Sequence, residues 1–273
     1  MNELTCGQKL PVYVVVARNY ATDSDNRIHS DEVAAQYGFA GGLVPGVGVY
    51  AYLTHPVVEA LGREWLERGT MTAKFLKPVY DGEAVAVHAA VSSTDPLTIS
   101  LELYNPDGTL CAVGQAGLPP SLPLPDPADY PFCPLPETRL PATIQALPAG
   151  MTLGSLEKRL NPAEMETGFV AEMCETLPLY CGAEAVCHPA FLPATANELL
   201  MAQVALGPWI HTATETQHYS LPRDGEKLSL RGRVAESCER RGHEMVVLDL
   251  VMSGEGERLI ARLRHSALIR LRS

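Results

Sequence analysis

Two stretches of the chain share one pattern, in which an Asp-Gly-Glu turn leads into a run of alternating residues. They read FLKPVYDGEAVAVHAAV at residues 75–91 and HYSLPRDGEKLSLRGRV at residues 218–234. An Asp-Gly turn followed by alternation of apolar residues predicts a turn and then a strand with one buried face. Because the two stretches lie about half a chain apart, they indicate a duplicated unit.

The residues before each stretch predict one helix per unit. Leu43-Val-Pro45 and Phe191-Leu-Pro193 are each followed by small residues and then by apolar residues at helical spacing. We expect the helices to begin at Gly46 and at Thr195, the second with Thr195 and Glu198 as a capping box. Pro56 should end or kink the first helix near His55.

Alternating runs predict four strands after each helix. The predicted strands span residues 71–77, 84–91, 97–104 and 110–116 in the first half, and 212–219, 227–234, 245–252 and 258–271 in the second. A helix followed by a run of antiparallel strands is typical of a sheet that wraps around the helix. The fold class is therefore α+β, and we expect the two units to place their sheets edge to edge.

A proline-rich segment separates the two halves. It carries ten prolines between Leu118 and Ala149, too many for a helix or a central strand. Such a segment is expected to run extended over the surface as a semi-rigid connector. We therefore predict an N-terminal domain at 1–118, a linker at 119–149 and a C-terminal domain at 150–273.

Composition excludes several classes of function. The formal net charge is −11, which argues against a nucleic-acid partner. We interpret the basic cluster of Arg258, Arg262, Arg264, Arg270 and Arg272 as the solvated face of a strand and not as a CoA phosphate site. A signal pattern and a membrane-spanning apolar run are both absent from the sequence, so we expect a cytoplasmic protein without a membrane partner. Seven cysteines without C-x-x-C spacing indicate reduced thiols and no metal site.

The segment from Tyr20 to Gly46 contains the most specific motif. Its Asn26, Ile28 and His29 are followed by an acidic helix start and by Phe39–Val47, a Gly-rich approach to the first predicted helix. These residues resemble the MaoC-like dehydratases, which include the (R)-specific enoyl-CoA hydratases and have the signature Asp-x-Asn-Pro-(Leu/Ile/Val)-His. The resemblance covers most of residues 15–115, and the repeat extends it to a double hot-dog fold with a degenerate second half.

The resemblance implies an enzyme that hydrates 2-enoyl thioesters or dehydrates 3-hydroxyacyl thioesters of CoA or acyl carrier protein, without a cofactor. His29 and an aspartate would handle the water as general acid and base. The family's aspartate position is Ser24 here, so Asp25, with Asp23 as competitor, is the predicted base. Asn26, Ser24, Gly46 and Val47 are the predicted substrate-binding residues, with the Gly46 N–H facing the thioester oxygen as it gains charge.

Other interpretations stay open. Residues 22–29 could be a polar turn that caps the helix starting near Ser30. His188 in the second half is interpreted as structural. A hot-dog thioesterase could use Asn197 or Glu198 on the central helix, and a non-catalytic acyl-thioester binder is favoured by Ser24. A homodimer is compatible with open sheet edges, although the duplicated chain could itself stand in for the dimer.

Overall fold

The computed structural model describes residues 4–160, 165–223 and 225–272. The first half contains β1 (Tyr13–Val16), α1 (Asp31–Gln36), α2 (Gly46–Arg68), β2 (Thr70–Phe75), β3 (Ala84–Thr94), β4 (Leu97–Tyr104) and β5 (Leu110–Leu118). The remainder contains β6 (Leu140–Pro141), β7 (Leu156–Arg159), α3 (Phe191–Gln203), β8 (Val204–Ala205), β9 (Ile210–His218), β10 (Lys227–Arg240), β11 (His243–Ser253) and β12 (Leu259–Arg270). A π-helix spans Met165–Val170, and short 3-10 turns complete the chain.

One antiparallel sheet unites the two halves. Its ten strands run in the order β1-β3-β4-β5-β2-β9-β12-β11-β10-β7. Read from each end, the two halves have the same strand order, and β2 pairs with β9 at the centre, from Thr70 opposite Gln217 to Lys74 opposite Ala213. The predicted α+β class, with two sheets joined edge to edge, is confirmed.

The two central helices lie against the inner face of this sheet. In α2 the side chains of Tyr50, Leu53, Val57 and Trp65 are almost completely buried, and they pack against the alternating apolar residues of β2 to β5. In α3 a second cluster forms around Leu199 and the inward-facing residues of β10 to β12. Strands β3 and β4 alternate in burial because one face meets a helix while the other meets solvent, whereas β11 is buried on both faces from Val246 to Ser253.

The prediction that Pro56 ends the first helix is wrong. Helix α2 continues through Pro56, and its one non-helical residue is Gly62, at φ 60° and ψ −149°. A proline inside a helix costs about 3 kcal/mol through a lost hydrogen bond and a steric clash. The neighbours His55, Val57 and Val58 are all buried, and this packing offsets the cost.

The predicted start of the second helix is also wrong. Helix α3 begins at Phe191, one turn before Thr195. The Thr195 hydroxyl donates to the Phe191 carbonyl oxygen at 2.8 Å, so it bonds back within the helix and caps nothing. Glu198 forms an ion pair with Lys158 at 2.8 Å. The capping-box pattern therefore occurs inside a helix whose start is set by packing.

The proline-rich segment lies against the second half of the sheet. Tyr130 donates from its hydroxyl to the buried carboxylate of Asp249 on β11 at 3.0 Å, and Leu147 is fully buried. Asp224, in the second Asp-Gly-Glu turn, lies outside the described residues. Among the helices that are described, none is long and apolar enough to cross a membrane.

Candidate active site

A cavity of about 400 Å³ lies where the two halves meet. Its wall is mostly apolar and draws on both halves of the chain, with Val47 and Phe75 from the first half and Phe169, Met201 and Trp209 from the second. Polar side chains are few, and they are Tyr20, Ser24, Asn26, His29, Lys77, Asn197, His211 and Thr212. Lys77 is exposed and therefore marks the opening of the cavity. A mostly apolar pocket with a few convergent polar groups is typical of a small-molecule site.

His29 is held as a neutral imidazole in one tautomer. Its Nδ1 lies 2.7 Å from the Leu43 carbonyl oxygen, which can only accept, so Nδ1 carries the proton and Nε2 carries the lone pair. Burial lowers the pKa of His29 below 6.5, although the hydrogen bond to Leu43 works in the opposite direction. The His29 Nε2 is therefore available as a base near neutral pH.

Asn26 ties the His29 loop to the second half of the chain. Its Nδ2 donates to the Trp209 carbonyl oxygen at 3.0 Å, and its Oδ1 accepts from the Trp209 N–H at 3.2 Å. The same Nδ2 lies 3.3 Å from His29 Nε2. A water that binds to the Nε2 lone pair would have to displace this long contact, and Asn26 would keep its hydrogen bonds to Trp209. Asn26 thus positions His29 relative to the start of β9.

Two glycines permit close packing at this point. A Cβ on Gly42 would overlap the His29 carbonyl oxygen, so Gly42 allows the chain to reach the His29 backbone, and its contact is with the protein and not with a ligand. A Cβ on Gly46 would lie 2.8 Å from His211 Nδ1 and 3.0 Å from the ring of Phe75. Glycine at 46 therefore allows His211 and Phe75 to pack closely against the first turn of α2.

The start of α2 supplies unpaired backbone donors. Pro45 is its N-cap and its side chain caps nothing, and the Pro45 carbonyl accepts from the N–H groups of Gly48 and Val49. The N–H groups of Gly46 and Val47 lie in the first turn, where no helix carbonyl is in position to accept from them. Both residues line the cavity. A ligand oxygen that carries negative charge would be stabilised there by these donors and by the helix dipole.

The sequence-predicted residues divide into two groups. Ser24, Asn26, His29, Gly46 and Val47 all line the cavity. Asp25 and Asp23 are exposed and do not line it. Between them, the Ser24 hydroxyl donates to the Asn26 carbonyl oxygen at 3.3 Å. The assignment of either aspartate as the base stays a prediction. The described lining contains neither aspartate nor glutamate.

Among the lining residues from the second half of the chain, His211 and Asn197 have buried polar atoms that could take part in chemistry. His211 was not predicted, because it lies in a strand without a motif around it. Asn197 was considered only for a thioesterase, and its Oδ1 is buried without a hydrogen-bond partner. Glu198, the other thioesterase candidate, does not line the cavity. His188 is fully buried against Glu175 and Tyr180, away from the cavity, as expected of a structural residue.

The C-terminal arginines are engaged with carboxylates. Arg258, Arg262, Arg264 and Arg270 form ion pairs with Glu226, Asp249, Glu236 and Glu244, respectively. All four arginines lie on β12 or immediately before it. Arginines that are already paired in this way are poorly suited to hold a CoA phosphate, which agrees with their interpretation as a strand face.

The lowered pKa of His29 predicts the acid limit of any activity that uses it as a base. Because the pKa of the imidazole lies below 6.5, the acid limb of kcat/KM should have its midpoint below pH 6.5, and more than half of the plateau value should remain at that pH. A pH profile of kcat/KM, restricted to the range where the fold persists by circular dichroism, measures this midpoint. A midpoint at or above pH 6.5 would contradict a neutral His29 as the base.

The comparisons with known proteins agree with the fold. Neither a protein-family model nor a curated protein sequence matches the chain. A solved structure from Chloroflexus aurantiacus, assigned as a MaoC domain protein dehydratase, superposes with a TM-score of 0.69 at 11% identity, over 99% of this chain and 97% of that one. A Mycobacterium tuberculosis protein with a double hotdog fold gives 0.64 at 14% identity, over 97% and 96%.

A thioesterase fold is also similar. The structure of a Lactobacillus plantarum protein assigned as an oleoyl thioesterase gives a TM-score of 0.54 at 9% identity, over 97% of this chain and 98% of that one. The level of identity limits all three comparisons to the fold. The chain has the double hot-dog fold, and its resemblance to the MaoC-like dehydratases is confirmed at that level.

Proposed function

We propose that the protein binds acyl thioesters of CoA or acyl carrier protein and catalyses the reversible hydration of their 2-enoyl forms. The observation that carries this proposal is the pairing of two features in one apolar cavity. One is a neutral His29 whose tautomer is fixed by Leu43, and the other is the uncapped start of α2 at Gly46. The first can move a proton, and the second can stabilise charge on a thioester oxygen.

A single base is sufficient for this reaction. His29 Nε2 takes a proton from water while the water oxygen forms a bond to the β-carbon of the enoyl thioester. The electron pair of the double bond moves to the thioester oxygen, where the N–H groups of Gly46 and Val47 lie at the helix start. The proton then passes from His29 to the α-carbon, and the carbonyl reforms. Dehydration follows the same steps in reverse.

The identity of the products tests this proposal directly. The purified protein is incubated with short and medium trans-2-enoyl-CoA esters, and the products are identified by mass spectrometry. The expected result is the gain of one water by the acyl chain, with the thioester intact. An unchanged enoyl-CoA that nevertheless binds would overturn the hydratase and favour the non-catalytic binder.

Hydrolysis is a second candidate, favoured by Asn197. This residue lies on α3, lines the cavity and has a buried Oδ1 without a partner, which could hold a water for attack on the thioester carbonyl. His29 would then deprotonate that water. Release of free CoA and the carboxylic acid, abolished by Asn197→Ala, would establish hydrolysis in place of hydration.

The two exposed aspartates give a separate prediction. Because Asp25 and Asp23 lie outside the cavity, Asp25→Asn and Asp23→Asn should each retain the hydration rate within about twofold, far less than the roughly 100-fold loss expected when a general base is removed. Steady-state kinetics with the most reactive enoyl-CoA measures the effect. A loss of 100-fold in either variant would mean that the loop rearranges on binding and that the aspartate is the base.

A further inference from the structure

His211 lines the cavity and has a buried ring nitrogen without a partner among the described residues. The residue is 6% exposed, its Nδ1 has no hydrogen-bond partner among the described residues, and it lines the cavity beside Gly46. The ring is held on both sides, because it stacks on His265 with 4.2 Å between ring centroids and meets the Phe75 ring edge-on at 4.8 Å. A buried polar atom without a partner is costly, so a rigid ring that keeps one free beside a pocket is suited to a ligand.

A short relay behind the ring determines what His211 Nδ1 can do. His211 Nε2 lies 2.6 Å from the Thr214 hydroxyl oxygen, and that oxygen lies 3.1 Å from His265 Nδ1. The Thr214 hydroxyl has one proton, so when it donates to one of the two histidines it must accept from the other. The tautomers of His211 and His265 are therefore linked.

The two settings of this relay differ in which atom is left without a partner. If Thr214 donates to His265, the fully buried Nε2 of His265 must carry an unpaired N–H. If Thr214 donates to His211, His265 Nε2 keeps only a lone pair, and the proton of His211 moves to Nδ1 in the cavity. Each setting leaves one N–H and one lone pair without a partner among the described residues. In the second setting the N–H belongs to His211, a residue of the cavity wall, so a ligand oxygen that accepts from it favours that setting. His211 then acts as a hydrogen-bond donor toward a ligand.

We propose that His211 is a second donor to the thioester carbonyl oxygen, acting from β9 beside the first-turn N–H groups of α2; this rests on the proposed acyl-thioester site. The carbonyl oxygen can accept two hydrogen bonds, one from the helix start and one from the His211 Nδ1–H. Burial, and also the neighbouring His265, lowers the pKa of His211 well below its usual value. The ring therefore donates as a neutral group and does not transfer its proton.

The experiment compares two ligands that differ at the carbonyl. One is a saturated acyl-CoA, and the other is the matching S-alkyl-CoA thioether, in which a methylene group replaces the carbonyl. Dissociation constants are measured by calorimetry for the wild type, His211→Phe, His211→Asn and the control His88→Phe. Phenylalanine keeps the ring packing without the donor, asparagine retains an N–H near the Nδ1 position, and His88 is an exposed residue of β3.

The expected result is a loss of affinity for the thioester alone. His211→Phe should weaken thioester binding roughly 2- to 10-fold, the effect of one net hydrogen bond, and should leave thioether binding unchanged. His211→Asn should restore most of the loss, and His88→Phe should bind both ligands as the wild type does. Equal weakening of both ligands by His211→Phe, or no weakening, would overturn the proposal.

The proposed function fails in a different way. If the wild type binds neither the acyl-CoA nor the thioether, the cavity is not an acyl-thioester site, and the role of His211 falls with it. If the wild type binds the thioester and His211→Phe binds each ligand as tightly as the wild type does, only the role of His211 is overturned. The wild-type measurement therefore separates the two proposals before any variant is examined.

Discussion

Replacement of His29 by asparagine is expected to lower kcat/KM for enoyl-CoA hydration by at least about 100-fold, since a positioned general acid or base contributes roughly 100- to 10,000-fold. Asparagine is the sharper choice because its Nδ2 can still donate to the Leu43 carbonyl oxygen, as His29 Nδ1 does at 2.7 Å. The variant thus keeps the hydrogen bond that holds the loop and loses only the base.

Three further measurements show whether the loss of activity comes from the missing base or from a disturbed structure. His29→Ala should lose the same activity and also about 1 kcal/mol of unfolding free energy, because the Leu43 carbonyl loses its donor. His29→Asn should bind a saturated acyl-CoA nearly as tightly as the wild type does, which shows that the cavity is intact. His88→Ala, on the exposed face of β3, is the control for loss of a histidine. More than a tenth of the wild-type activity in His29→Asn would remove His29 from the proton-transfer step.

A second large effect is expected from acid. Four fully buried histidines, His188, His211, His218 and His265, are each held neutral, because burial lowers their pKa values; those of His218 and His265 fall to about 4 and about 3. The unfolded chain would protonate these histidines near pH 6.5 while the native state does not. The unfolded state therefore binds more protons, and stability falls as the pH falls from 6.5 toward 4.

The size of this effect follows from proton linkage. A histidine that stays neutral in the native state removes up to about 1.4 kcal/mol of unfolding free energy per pH unit in this window, so His218 and His265 together remove up to about 3 kcal/mol per unit. The lowered pKa values of His188 and His211 act in the same direction. A domain of ordinary stability has about 5 to 15 kcal/mol in total. We therefore expect acid unfolding with a midpoint between about pH 4 and pH 5.5.

Urea unfolding at a series of pH values measures this slope. His218→Phe should reduce it by up to about 1.4 kcal/mol per pH unit, the effect of one proton, while the ring contact with Trp65 at 5.1 Å is retained. His88→Ala should leave the slope unchanged, since that histidine is exposed in the native state. An unfolding free energy that is constant between pH 7.5 and pH 5 would show that the buried histidines do not control acid stability.

Much of the fold follows from local sequence, because alternation and Asp-Gly turns are local signals. Where prediction fails, tertiary packing decides. Thr195 and Glu198 form a capping pattern that is overridden, since α3 extends back to Phe191 in the core. Strand β1 was not predicted, because its exposed residues Val14 and Val16 are apolar. Its sequence therefore does not alternate between apolar and polar residues as the other strands do.

The residues of the candidate site likewise divide into those that a local motif identifies and those that tertiary packing brings together. His29, Asn26 and Gly46 are near one another in sequence, so a motif can identify them. His211 and Asn197 belong to the other half of the chain, and only the pairing of β2 with β9 and the packing of α3 bring them to the same cavity. The exposure of Asp25 and Asp23 could not be predicted either, because it depends on the path of an irregular loop for which the sequence gives no periodic signal.

The pairing of β2 with β9 also has a consequence for how this site can change over generations. In a dimer of identical single units, each substitution would appear in both subunits and at every symmetry-related pocket. Here the wall carrying His29 and the wall carrying His211 are encoded separately. A substitution on β9 can therefore change the wall that carries His211 while the wall that carries His29 is left intact. Because the two units belong to one chain, the two walls are independently mutable.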